Sequence, residues 1–130
     1  MGSTNPMNWL SVAIGGSLGA LSRYGIDRVI ILMTGNSTIS GTLISNTLGS
    51  FLLGLIVGIG LDKFNWSTSY TLFLTVGFCG SFTTFSTLTM TSIKLMEEGD
   101  YIKGSFNLLI NLIVGIAITL FGLWSGRNIF

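Results

Sequence analysis

The chain has 130 residues, of which 48% are hydrophobic and only 8% charged, and its formal net charge is +1. Soluble domains average roughly 25% charged residues, so this composition predicts one domain built for a membrane. The near-zero charge excludes an electrostatic surface for nucleic acid, so we predict no nucleic-acid partner. The single cysteine excludes an intrachain disulfide. The absence of histidine removes the commonest metal ligand and proton relay, so we predict that the chain is not an enzyme.

Four apolar segments, each at least about the 20 residues that a membrane helix needs, follow one another along the chain. We predict an all-α membrane protein with a single four-helix transmembrane domain over residues 9–130, its helices spanning about 9–33, 41–61, 70–95 and 104–126. Residues 1–8 have no apolar periodicity and are expected to be a disordered leader or an expression scar. The first segment is too long for a cleaved signal peptide and is expected to stay in the mature protein.

Lysine and arginine residues are spread almost evenly over the two sides of the predicted bundle. With four crossings, Lys63 and Arg127 lie on the side of the amino terminus, whereas Arg28, Lys94 and Lys103 lie on the other. Because the Lys/Arg bias of short loops sets orientation, this balance predicts a chain that inserts either way. We therefore expect two copies to pack antiparallel as a dual-topology dimer.

Small residues recur at every fourth position on the first two helices, in the stripes Gly15, Gly19, Arg23, Asp27 and Thr42, Asn46, Ser50, Gly54, Gly58. This spacing predicts close helix packing; the alternative is that glycine is simply common in membrane helices. Arg23 lies several residues inside its segment, and an intramembrane charge indicates function. We expect Arg23 to pair with Asp27 and to form a positive vestibule.

The third segment has a glycine-rich and hydroxyl-rich stretch at its centre. Over residues 81–92, eight of twelve side chains are serine or threonine, and they need protein, water or ion partners because unpaired polar groups are costly in lipid. Gly77 and Gly80, followed by these hydroxyls, predict a helix that is interrupted at mid-membrane. Carbonyl groups freed by such a break can coordinate a cation.

The polar groups inside these segments are mostly uncharged hydrogen-bond donors. Amide and hydroxyl groups solvate an anion directly, and the edge of an aromatic ring is positive. A narrow tunnel of such groups favours a small anion, and its candidates are Asn46, Ser86, Thr87 and the ring edges of Phe82 and Phe85. The alternative for Phe78, Phe82, Phe85 and Leu88 is an apolar stripe against another helix. Asn111 remains open to a helix-to-helix hydrogen bond or a ligand role.

Three blocks of the sequence carry a resemblance to a known family. They are GGSLGALSRY at 15–24, GTLISNTLGSFLLG at 41–54 and GFCGSFTTFST at 77–87, and they fall in order on the first three helices. Together they resemble the Fluc (CrcB-type) fluoride channels over nearly the whole chain from Trp9 onward. The third block is the most specific.

The resemblance implies a passive fluoride channel of the bacterial inner membrane, a multi-pass protein that exports cytoplasmic fluoride and confers fluoride resistance. It implies an antiparallel dual-topology dimer, embedded in lipid, with two fluoride pores. By position it gives pore or vestibule roles to Asn46, Phe85, Ser86, Thr87 and Arg23. It also implies a structural sodium ion at the dimer interface, held by backbone carbonyls of Gly80 and Thr83 from each subunit.

Two positions depart from the family pattern. Leu88 stands where the family has a second pore phenylalanine, and Thr91 stands where many members carry a glutamate. Leu88 is therefore a pore candidate, and a half-channel that pairs with an unlike paralogous subunit stays open. A small multidrug-type, proton-coupled exporter is the competing transporter class, but it needs an embedded glutamate where this chain has only Asp27. A non-transporting assembly subunit also stays open.

Overall fold

The computed structural model describes residues 5–35 and 38–130, and every regular element in these ranges is helical. The elements are α1 (Pro6–Thr34), α2 (Thr38–Asp62), α3 (Thr68–Leu72), a π-helical segment (Phe73–Cys79), α4 (Gly80–Phe82), α5 (Phe85–Glu97) and α6 (Tyr101–Asn128). The elements from α3 to α5 together form the third predicted membrane segment. The prediction of an all-α fold is therefore confirmed for the described residues.

Three stretches of the described chain are long and apolar enough to cross a membrane: Ile39–Gly60, Thr68–Glu97 and Tyr101–Asn128. They coincide with the second, third and fourth predicted segments. The first predicted segment corresponds to α1, which has 29 residues but contains several glycines and serines together with Arg23, Asp27 and Arg28. Its length suffices for a span, whereas its apolar character is lower than that of the other three.

The helices begin earlier than the apolar pattern indicates because polar residues cap them. The Asn5 side chain accepts a hydrogen bond from the Met7 N–H, and Pro6 occupies the first helical turn, so α1 takes in part of the predicted leader. Residues 1–4 lie outside the described range. Ser67 caps α3 and Asp100 caps α6 in the same way, which moves both starts ahead of the predicted ones.

α2 and α6 form the most extensive helix pair, and glycines on both helices bring their backbones together. Gly54 and Gly58 of α2 lie directly against carbonyl groups of α6, and Gly122 and Gly126 of α6 lie against carbonyl groups of α2. A Cβ atom at any of the four would collide with the facing backbone. The stripe on α2 is thus a packing surface at these positions, as predicted.

α1 packs against the π-helical segment through the second glycine stripe. Gly15 faces the carbonyl of Phe73, Gly19 faces the carbonyl of Phe78, and Gly77 in turn lies against the backbone of α1 at Gly15. No side chain separates the two backbones at these points. The predicted packing role of Gly15 and Gly19 is therefore confirmed.

The third segment is interrupted at Thr83 and Thr84, which adopt extended backbone conformations with φ/ψ of −90°/157° and −148°/121°. The Thr84 hydroxyl accepts the Thr87 N–H at 3.2 Å and so caps the start of α5. The predicted interruption is confirmed, but it lies after the glycines rather than at them. Gly77 and Gly80 remain helical, because the hydroxyl cap at Thr84 ends the helical hydrogen-bond pattern there.

Candidate functional site

The interruption of the third segment, named the break, consists of Thr83 and Thr84 and is held by the side-chain amide of Asn46. The Thr84 N–H donates to Asn46 Oδ1 at 2.8 Å, and Asn46 Nδ2 donates to the Thr84 carbonyl at 3.2 Å. One side chain of α2 therefore satisfies both backbone groups of a residue that lacks helical partners. Buried backbone groups need such partners, so Asn46 stabilises the extended conformation.

A chain of hydrogen bonds continues from Asn46 into α6 and back to α5. Asn46 Nδ2 also donates to Asn111 Oδ1 at 3.0 Å, and Asn111 Nδ2 donates to the carbonyl of Asn107 at 2.9 Å. Asn107 Nδ2 donates to Ser92 Oγ at 3.0 Å, and Ser92 donates to the Leu88 carbonyl at 2.8 Å. Asn111 thus makes the helix-to-helix hydrogen bond that was one of its two predicted roles. Both Nδ2 hydrogens of Asn46 are engaged.

An open groove of about 260 Å³ lies beside the break, between α2, α5 and α6. It is lined by Asn46, Gly49, Ser50, Leu53, Thr83, Thr84, Phe85, Leu88 and Thr119. The Phe85 side chain is 78% exposed in the protomer, whereas Leu88 is buried with 7% exposure. Four predicted site residues, Asn46, Thr83, Phe85 and Leu88, therefore meet in one groove, and none of the lining side chains carries a charge.

Ser50 and Thr119 also line the groove, although the sequence did not identify them as site residues. Ser50 lies one helical turn after Asn46, in the stripe from which the sequence predicts only close helix packing. Its spacing of four residues from Asn46 is the sequence feature that identifies it as a neighbour of the site. Thr119 has no such feature, because a single threonine in an apolar helix commonly bonds its own backbone, as Thr119 does with the Gly115 carbonyl at 2.8 Å.

The chain matches the family model described as CrcB-like protein, Camphor Resistance (CrcB), over residues 10–123. The chain belongs to the CrcB family. It is 40% identical over 117 residues to the "Fluoride-specific ion channel FluC" of Dehalococcoides mccartyi, with 90% of each chain covered. It is 35% identical over 130 residues to the protein of the same name from Hydrogenovibrio crunogenus, covering 100% of this chain and 98% of the relative. The Legionella pneumophila protein of this name is 40% identical over 114 residues, covering 88% and 85%.

Membership in the CrcB family confirms two further predictions. The relatives are named as ion channels, so the chain is not an enzyme. With its apolar helices of spanning length, it is a multi-pass membrane protein. The family match also favours the channel class over a small multidrug exporter.

The remaining predicted pore residues of this CrcB protein lie outside the groove. Phe82 is buried with 4% exposure and stacks on Phe78 with ring centroids 5.5 Å apart, as the apolar-stripe alternative describes for this pair. Ser86 is exposed and Thr87 is half-buried, both in the first turn of α5. The Ser86 hydroxyl lies 3.4 Å from the Thr84 hydroxyl. The structure therefore brings Ser86 close to the break without placing it in the groove lining.

Arg23 contacts the chain just before the break from the side of α1. Its Nε donates to the Ser81 carbonyl at 3.2 Å. In a continuous helix this carbonyl would accept a hydrogen bond from the Phe85 N–H. The described residues contain no ion pair between Arg23 and Asp27, so the expected pairing is wrong. Asp27 instead packs against Gly41 near the start of α2, and its buried Oδ1 has no hydrogen-bond partner. The Arg23 guanidinium lies instead at the carbonyl end of α4, where a cation is favoured.

The carbonyl groups of Gly80 and Thr83 fit a hard cation such as sodium. In a continuous helix they would accept from the N–H groups of Thr84 and Thr87, but those N–H groups donate to Asn46 Oδ1 and Thr84 Oγ1. Gly80 is also exposed on the protomer surface. Oxygen ligands of this kind suit hard cations, and these two carbonyls would hold the ion without a charged side chain.

Proposed function

We propose that the chain is a passive, fluoride-selective ion channel that exports cytoplasmic fluoride and so confers fluoride resistance. The groove beside the break is the observation that carries this proposal. Its lining combines amide and hydroxyl groups with the ring of Phe85 and lacks any titratable side chain. Relatives that are about 40% identical over most of their length are named fluoride-specific ion channels. The groove is suited to an anion that accepts strong hydrogen bonds.

Two antiparallel copies would complete the pores. Phe85 is a large apolar side chain that is 78% exposed beside a polar groove, and a second subunit packed against this face would bury it. The near-even distribution of Lys and Arg over the two ends of the bundle allows both orientations. By the symmetry of such a dimer, two grooves arise, one from each protomer.

A structural sodium ion is proposed at the interface of these two copies. Gly80 and Thr83 of each subunit would contribute their released carbonyl groups, which gives four oxygen ligands in total. Bound sodium would neutralise the carbonyl ends of two broken helices that approach each other. The cation is structural in this proposal, and fluoride does not pass through it.

Fluoride would cross by exchanging its hydration shell for groups of the groove. Hydroxyl donors of the groove replace water at the ion, and the positive edge of Phe85 adds electrostatic attraction. The half-buried guanidinium of Arg23, held at the Ser81 carbonyl, raises the local positive potential near the break. Without a titratable group in the lining, transport has no means of coupling to protons.

A half-channel role is a second candidate, because Leu88 occupies the groove where the family resemblance expects a phenylalanine. Leu88 is buried in the lining and offers no positive ring edge. An unlike paralogous subunit would then supply the missing ring. Activity of the protein purified alone separates the two candidates.

Fluoride efflux from liposomes that contain the purified protein tests the proposal. A fluoride electrode should record rapid release when a potassium ionophore balances charge, and chloride-loaded vesicles should retain their chloride. Efflux no faster than from empty vesicles would contradict a homodimeric channel. Restoration of efflux by co-expression with a paralogous subunit would then favour the half-channel. Purification in potassium instead of sodium should weaken the dimer if the proposed cation is present.

A further inference from the structure

The Ser50 hydroxyl lines the groove and makes no hydrogen bond within the described residues. Serine and threonine side chains in helices commonly donate to the carbonyl four residues earlier. In this chain that bond is made by Ser17, Ser22, Thr75, Ser92 and Thr119. Ser50 is half-buried, lines the groove and does not make it. Its hydroxyl is thus available to a molecule or ion in the groove.

The other polar side chains of the groove already have hydrogen-bond partners within the fold. Both Nδ2 hydrogens of Asn46 are engaged, with the Thr84 carbonyl and with Asn111. The Thr83 hydroxyl donates to the Cys79 carbonyl at 3.0 Å, and the Thr119 hydroxyl donates to Gly115. The Thr84 hydroxyl accepts from Thr87 and has Ser86 beside it. Among the groove-lining residues, Ser50 therefore holds the hydroxyl that is free of any such contact.

The surroundings of Ser50 leave space for an ion. Gly115 of α6 faces it, and a Cβ atom at that glycine would lie 3.9 Å from Ser50 Oγ. Gly115 also lines a second open groove of about 350 Å³, which shares Thr119 with the first. The hydroxyl of Ser50 thus lies in the first groove, one helical turn from Asn46 and close to a glycine that lines the second groove.

We propose that Ser50 binds fluoride directly and that its hydroxyl is the principal hydrogen-bond donor to the ion in this groove. The inference rests on the proposed function and assigns the ion contact to a residue other than Asn46, whose amide is committed to the break. A hydroxyl donates strongly to a bare halide, and in a groove of low polarity that bond is stronger than in water.

Ser50→Ala in liposome efflux assays tests the proposal. We expect fluoride efflux about tenfold slower or more, because a hydrogen bond to a charged partner is worth at least that factor. The thermal midpoint should stay at the wild-type value, since the hydroxyl has no partner in the fold. Ser22→Ala is the matched control: it also removes a half-buried helical hydroxyl, but one bonded to the Leu18 carbonyl. Its efflux should equal that of the wild type.

Thr119→Val and Ser50→Cys extend the test. Thr119→Val removes a hydroxyl whose hydrogen is engaged, so it should slow efflux less than Ser50→Ala does. A thiol at position 50 should react with a water-soluble methanethiosulfonate, and the reaction should block efflux. The wild type should be insensitive to the reagent, because Cys79 is buried with 1% exposure.

The results separate this inference from the function on which it rests. Absence of wild-type fluoride efflux would refute the channel itself and the inference with it. Wild-type efflux together with equal efflux by Ser50→Ala would overturn the inference and leave the channel intact. Equal slowing by Ser50→Ala and Thr119→Val would also overturn it, because general polarity rather than a free donor would then be responsible.

Discussion

Replacement of Asn46 by alanine tests whether a single amide holds the break. The change removes three hydrogen bonds, two to the backbone of Thr84 and one to Asn111. At about 1 kcal/mol net for each bond, the loss is about 3 kcal/mol, and it grows if the orphaned Thr84 groups stay dry. For a chain of this size the thermal midpoint should fall by about 10 °C.

Loss of monodisperse protein on heating in detergent, followed by fluorescence-detected gel filtration, measures this shift. Asn128→Ala is the control, because Asn128 is exposed and its side chain donates to the Trp124 carbonyl at 2.8 Å. Its free energy of unfolding should change by no more than the roughly 0.5 kcal/mol expected of a surface substitution, which moves the midpoint by about 2 °C. A midpoint for Asn46→Ala equal to that of the control would refute the role of Asn46 at the break.

Asn46→Asp combines two effects that the alanine variant separates. A carboxylate still accepts the Thr84 N–H, but it places a second oxygen against the Thr84 carbonyl and Asn111 Oδ1. It also adds a negative charge to an anion path. We expect Asn46→Asp to abolish fluoride efflux, with a lowered thermal midpoint showing how much of the loss arises from the break. Unchanged efflux would remove Asn46 from the site.

Three further substitutions or conditions test other parts of the structure. Gly19→Ala should prevent recovery of monodisperse protein, since a methyl group against the Phe78 carbonyl costs about 1–3 kcal/mol or more. The control Gly25→Ala should behave as wild type, because a Cβ atom there would meet nothing within 4 Å. Equal behaviour of the two variants would contradict the packing of α1 on the π-helical segment. Phe85→Ala should slow fluoride efflux up to about tenfold, the size of one aromatic contact, while full efflux would exclude its ring from the path. Efflux should not vary between about pH 6 and about pH 8, because no groove-lining side chain titrates there; a steep dependence would indicate proton coupling.

Several elements of the fold follow from the sequence because they depend on local chemistry. The four-residue spacing of Gly15 and Gly19 placed them on one face of α1, and that face meets the third segment. The hydroxyl-rich block predicted an interrupted helix, since Thr84 can cap a new helix with its own side chain. These features can be predicted from a few neighbouring residues, because backbone N–H and C=O groups that lack hydrogen-bond partners are costly in lipid.

Other features depend on contacts between distant segments, which one sequence does not specify. Arg23 bonds the Ser81 carbonyl, 58 residues away, rather than Asp27 one turn along its own helix. Phe82 and Phe85 are three residues apart, yet the break turns the first into the core and leaves the second exposed. The commitment of the Asn46 amide to Thr84 and Asn111 likewise required the positions of three helices.

The reversal potential of the current through purified protein in a planar bilayer tests the central claim most directly. With a tenfold fluoride gradient and equal chloride on both sides, a passive fluoride-selective path of uncharged donors predicts a potential of about 59 mV in magnitude, the Nernst value for one charge. It should be unaffected by a proton gradient. A reversal potential near zero, or one that follows the proton gradient, would contradict the account.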